Sequence, residues 1–142
     1  MVKEDRHQLR VVIDTNVLIS FLFGGENMNR IVDALTAGKV QAVVTTATIT
    51  ELREVAARKK FTSRFSKLVA DHFIGSYSDI ALHVTPKNSV KISRDNKDNI
   101  FLDCAIESKA DYLITGDKDL LVIGHYKGIN IVTPAAFGRM VL

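Results

Sequence analysis

Apolar residues in this chain fall into short continuous runs separated by longer stretches of mixed character. Five runs rich in β-branched residues stand out: Arg10–Ile13, Val40–Thr45, Ile80–Thr85, Tyr112–Thr115 and Asn130–Thr133. Within them apolar residues follow one another instead of alternating with polar ones, the pattern of strands covered on both faces. Helical segments are predicted between them. Thr15–Phe23 and Asn27–Ala37 fill the first gap, Thr48–Lys59 and Ser63–Ser78 the second, Asp98–Lys109 the third and a short turn near Asp119–Ile123 the fourth. A last helix is expected over Ala135–Val141. Strands joined by helical crossovers predict a parallel α/β sheet. Ligands of such sheets collect outside the carboxyl ends of the strands, near a topological switch point. Acids at those ends are therefore the residues to follow.

Composition narrows the class. With 142 residues and 46% hydrophobic side chains, one domain over residues 1–142 is expected, its core covering about 10–137. A single cysteine, Cys104, excludes a disulfide scaffold and a cysteine-based zinc site. His7, His72, His83 and His125 have no metal-ligand spacing. The first residues are charged and lack an apolar signal core, and no apolar run is long enough to cross a bilayer. The expectation is a soluble, cytoplasmic protein with no membrane partner.

Four acids carry the chemistry, each with a plainer alternative. Asp14 follows Arg10-Val-Val-Ile and precedes Thr15-Asn16, so it faces the crevice or caps the next helix. Glu51 comes just after the second strand, but Thr48-x-x-Glu51 also fits a capping box. Asp98 heads a helix whose apolar positions are Phe101, Leu102, Ala105 and Ile106, and lies near the centre of that inward face. Asp95-x-x-Asp98 is its capping alternative, and Asp103 falls on roughly the opposite face, read as solvated. Asp117 and Asp119 share the turn Gly116-Asp117-Lys118-Asp119, where either could cap the short helix that follows.

Taken together these acids are harder to explain as caps. Two carboxylates about 5 Å apart repel by about 3 kcal/mol at an effective dielectric of about 20, so a cluster needs protons or cations. Oxygen-only ligands favour Mg²⁺ or Mn²⁺, and one or two such ions can activate water and stabilise the leaving oxygen of a phosphodiester. The rest of the charge agrees. The chain has 19 Lys and Arg against 16 Asp and Glu, and setting aside Asp14, Glu51, Asp98 and Asp117 leaves 12 acids. Arg53, Arg58, Lys59, Lys60, Arg64 and Lys67 crowd the region after Glu51, and Arg94, Lys97 and Lys118 flank other acids. An acidic centre in basic surroundings suits a phosphate backbone, with Arg58, Lys59, Lys60 and Lys118 as candidate backbone contacts.

At this point the sequence resembles the PIN-domain ribonucleases, from about Arg10 to Phe137. The resemblance rests on Val-Val-Ile-Asp14-Thr-Asn16-Val-Leu-Ile-Ser20, Thr-Glu51-Leu, Arg94-Asp-Asn-Lys-Asp98-Asn-Ile-Phe-Leu-Asp-Cys-Ala105 and Leu-Ile-Thr115-Gly-Asp117-Lys-Asp119-Leu-Leu, in that order. Ile131-Val-Thr-Pro134-Ala-Ala-Phe137 resembles the branch that holds toxin components of prokaryotic toxin–antitoxin pairs, the VapC-like proteins. The resemblance implies a three-layer α/β/α sandwich with a central parallel sheet, here of five strands. It also implies metal-dependent endoribonuclease activity, an antitoxin partner and frequent homodimers. On it, Asp14, Glu51, Asp98 and Asp117 are the catalytic, metal-holding acids and Asp119 an extra candidate ligand. Asn16 and Thr115 are supporting polar residues. One extra residue separates Asp98 from Thr115 relative to the compact VapC-type pattern, which keeps Asp95 and Asp103 open as alternatives for the third acid. A receiver domain would place paired acids at the first strand. A phosphatase with an Asp nucleophile would place a second acid where Asn16 stands. A catalytically weak module of the same fold, binding RNA or a protein, is the alternative to the enzyme.

Overall fold

In the computed structural model of the chain, residues 8–87 and 96–142 are described, residues 96–98 by their backbone alone. The elements run β1 (Leu9–Ile13), α1 (Thr15–Phe21), α2 (Glu26–Thr36), β2 (Val40–Val44), α3 (Thr46–Ala56), α4 (Lys59–Thr62) and α5 (Lys67–Ile80). They continue as β3 (Leu82–His83), α6 (Asn96–Ser108), β4 (Tyr112–Ile114), α7 (Lys118–Ile123), β5 (His125–Tyr126), β6 (Ile129–Val132) and α8 (Pro134–Val141). All five expected strands are present, although the third shortens to Leu82–His83 because Ile80 is the last residue of α5.

The strands form one sheet in the order β3-β2-β1-β4-β6-β5, so it has six strands and not five. β5 is the addition. It pairs antiparallel with β6 across Lys127-Gly128, both at positive φ (49° and 82°), the two-residue primed turn that matches the twist of a hairpin. All other pairings are parallel.

Side chains alternate between two cores. Val11 and Ile13 of β1 pack with Val40, Ala42 and Val44 beneath residues of α1, α2, α3, α5 and α8, including Leu18, Ile31, Leu52, Ile74 and Phe137. Val12, Val43, Leu113 and Ile131 face the other way, against Phe101, Leu102 and Ala105 of α6 and Leu120 of α7. This makes the three-layer sandwich, and it explains the continuous apolar runs: both faces of each central strand are covered. Among the described residues no helix is long and apolar enough to cross a membrane.

The chain builds outward from β1 through β2 to β3 and then returns to lay β4 on the other side of β1. The switch point therefore lies between the carboxyl ends of β1 and β4, where Asp14 and Thr115 follow their strands.

Candidate active site

The two strand ends at the switch point are tied together. The Asp14 backbone N–H donates to the Ile114 carbonyl (3.0 Å), extending the β1–β4 ladder by one bond. The Thr115 hydroxyl, fully buried, donates to Asp14 Oδ2 at 2.6 Å. Asp14 takes the N-cap position of α1, but its side chain makes no capping hydrogen bond. The Asn16 backbone N–H lies toward the carboxylate and favours its charged form without reaching the geometry of a cap. The capping alternative therefore does not explain Asp14.

Nor does it explain Glu51. The capping box of α3 is built one turn earlier than expected, by Thr45 at the N-cap and Thr48 at N3, each side chain bonded to the other's backbone N–H (3.1 and 3.0 Å). α3 accordingly begins at Thr46 and not Thr48. Glu51 is left in mid-helix, half-buried, where its Oε2 accepts from the Thr15 hydroxyl at 2.8 Å. Thr15 joins the first turn of α1 to α3 and holds the Glu51 carboxylate beside Asp14. The sequence reading missed this residue; its signal was a hydroxyl directly after the strand-end acid.

Asp117 fits both readings. It caps α7, with Oδ1 accepting from the Asp119 N–H at 2.8 Å, and its own N–H donates to the Thr115 hydroxyl at 3.0 Å. Thr115 is thus a relay between the turn and Asp14, donating to one and accepting from the other. Burial pushes the Asp14 carboxyl above its ordinary value of 3.8. The Thr115 and Asn16 contacts act against that shift, and the negative charges of Asp117 and Glu51 add to it. Three of the four predicted acids therefore interact electrostatically at the switch point.

The fourth, Asp98, lies in the first turn of α6, and its side chain is outside the described residues, as are Asp95, Arg94 and the side chain of Lys97. Among the described residues no three His, Cys, Asp or Glu side chains stand together as a metal site. The donor chemistry nevertheless fits a divalent cation. All the donors are carboxylate oxygens, one is buried, and its charge is opposed by two neighbours that a cation would offset.

Other expectations change in detail. Asn16 has an exposed side chain, so what it offers Asp14 comes from its main chain. Asp103 is half-buried, not on a fully solvated face, and lines a groove of about 120 Å³ with Thr45, Thr46, Val84, Pro86 and Ile100. Cys104 is fully buried, donates to the Val43 carbonyl at 3.5 Å, and has its thiol pushed up to about 12 chiefly by burial. It is an inert core residue. Arg58, Lys59, Lys60 and Lys118 are exposed.

A PIN-domain family model matches residues 10–119. The chain is 30% identical over 128 residues to the uncharacterised protein MJ1680 of Methanocaldococcus jannaschii, covering 85% of this chain and 79% of that one. PAE2754 from Pyrobaculum aerophilum superimposes with a TM-score of 0.63 at 14% identity, over 92% of this chain and 88% of the other. VapBC2 from Rickettsia felis, solved bound to a DNA fragment from its promoter, gives 0.57 at 11% identity, over 87% and 97%. FitAcB from Neisseria gonorrhoeae gives 0.56 at 14%, over 88% and 98%. At these identities the structural likeness is one of fold.

Proposed function

The chain belongs to the PIN-domain family, and on that premise we propose that it is a metal-dependent endoribonuclease that hydrolyses RNA phosphodiester bonds. The observation that carries this reading is Asp14, a carboxylate at the switch point that accepts from the Thr115 hydroxyl and whose ionisation is opposed first by burial and then by Asp117 and Glu51. An acid at the N-cap of α1 that makes no capping hydrogen bond is suited to hold positive charge. Asp14, Glu51, Asp98 and Asp117 would hold one or two Mg²⁺ or Mn²⁺ ions, with Asp119 a further candidate. When bound, such an ion supplies Lewis acidity to the phosphodiester and to the water that hydrolyses it.

The chain's own residues supply the rest. The Thr115 and Thr15 hydroxyls hold the Asp14 and Glu51 carboxylates in fixed orientations, which limits the reorganisation needed as charge develops. The caps of α3 and α7 fix the helices that carry Glu51 and follow Asp117. Arg58, Lys59, Lys60 and Lys118 would meet the RNA backbone and bring it to the acids.

A toxin role with an antitoxin partner, and a homodimeric state, belong to the same reading. They are supported by the resemblance of the Ile131–Phe137 segment to the toxin branch. The finding that tests the activity is cleavage of a panel of structured RNAs by purified protein with Mg²⁺ or Mn²⁺. Cleavage that disappears on chelation supports the enzyme. RNA binding with no cleavage under any divalent ion overturns it in favour of a binding module.

A further inference from the structure

Away from the acids, one surface combines aromatic rings with concentrated positive charge. Phe23, just past α1, meets Phe61 of α4 and Phe65 with ring centroids 6.0 and 5.5 Å apart, and Phe61 and Phe65 stack at 6.2 Å. Phe61 and Phe65 are partly buried against the larger of the two cores. Phe23 is 45% exposed. Two cations sit over these rings: the Arg64 guanidinium 4.9 Å from the Phe23 centroid and Lys60 Nζ 5.0 Å from that of Phe61. From Arg58 to Lys67 the chain carries five basic residues and no acid.

The patch is joined to the candidate site by two helices. α1 begins at Thr15, directly after Asp14, and leads to Phe23, while α3 carries Glu51 and leads to α4 with Phe61. The two helices pack against each other. Phe23 comes eight residues after Thr15, which is bonded to Glu51; at a helical rise this is about 12 Å.

We infer that Phe23, Phe61 and Phe65, with Arg64 and Lys60, form a stacking platform for unpaired bases of an RNA substrate on one side of the cleaved phosphate. The inference rests on the nuclease reading. Aromatic faces accept any base, and cations held at the rings meet the phosphates between bases. Exposed Leu68 and Val69 nearby would also suit a protein partner. Lys67 is paired with Asp71, and the remaining positive charges of Arg58, Lys59, Lys60 and Arg64 favour a polyanion. The consequence is a requirement for single-stranded RNA beside the cleavage point that backbone contacts alone would not impose.

The test measures fluorescence anisotropy of the full chain with a short unpaired oligoribonucleotide, the same oligonucleotide with single abasic positions, and a fully paired hairpin stem. All are in chelator, so that binding is read without cleavage. Phe23→Ala is expected to weaken binding of the unpaired RNA about tenfold and to leave the stem unchanged. Phe23→Trp should restore the affinity, and an abasic position should reproduce the loss in the wild type but add nothing in Phe23→Ala. Arg64→Gln should lower both affinity and its salt dependence. Equal affinity of folded Phe23→Ala and wild type overturns the platform, as does equal weakening on both RNAs. So does a Phe23→Ala change in sedimentation with RNA binding intact, which would mark a protein contact. If the wild type cleaves RNA and Phe23 proves irrelevant, the platform alone falls. If folded wild type neither binds nor cleaves RNA, the nuclease reading falls with it.

Discussion

Asp14 shows how a single side chain reconciles fold and chemistry. It is buried next to two other negative charges, and its carboxyl is held above the ordinary value of 3.8. The folded protein therefore binds a proton at Asp14 more tightly than the unfolded chain does. That contribution to stability is present at low pH and is lost as pH rises through the raised value. In chelator, the wild-type melting temperature should fall over that window. Asp14→Asn keeps the side chain's size without the charge, so it should not show that fall and should melt higher than the wild type at neutral pH. A variant that melts at or below the wild type at neutral pH in chelator would contradict the account of Asp14 as a strained acid. Asp14 was legible in the sequence because it followed an unambiguous buried strand. Thr15 was not, because its partner Glu51 is 36 positions away and nothing local links a threonine to a glutamate across two helices.

At the scale of elements, the reading from sequence succeeded where one physical rule dominated and slipped where several competed. Continuous apolar runs gave the central strands, because burial on both faces leaves no alternative pattern. The start of α3 was displaced because Thr45, Thr46, Thr48 and Thr50 offer several caps within six residues, and only the end of β2 at Val44 selects Thr45. β5 escaped notice because two residues carry no periodicity; it exists by virtue of the Lys127-Gly128 turn and the neighbouring edge of β6. α6 carries the sharpest test at this scale. Asp98 and Asp103 are five residues apart on it, a rotation of about 140°. Asp98 lies in its first turn, whereas Asp103 lines the groove beside Thr45 and Val84. Asp98→Asn should cost at least about 100-fold in cleavage, the scale of losing a well-placed electrostatic group. Asp103→Asn should keep near-normal cleavage. Loss of cleavage in Asp103→Asn, with a folded and active Asp98→Asn, would reassign the third acid.

At the scale of the whole molecule, Asp14, Asp117 and Glu51 interact at the switch point between β1 and β4, and basic residues crowd the stretch of sequence after Glu51. Neutralising Lys59 and Lys60 together should weaken RNA binding and flatten its dependence on salt, with little change in sequence preference. An unchanged salt slope would place the RNA path elsewhere. The overall architecture was legible because helical crossovers dictate parallel pairing. The electrostatic coupling of Glu51 and Asp117 to Asp14 could only be expected, since it depends on how α3 and α7 pack against two adjacent strand ends. That Asp14 serves the proposed reaction is the central claim, and single-turnover cleavage of an end-labelled RNA in saturating Mn²⁺ by wild type and Asp14→Asn tests it most directly. A fall of at least about 100-fold in the folded variant is the predicted result; equal rates in the two proteins would contradict it.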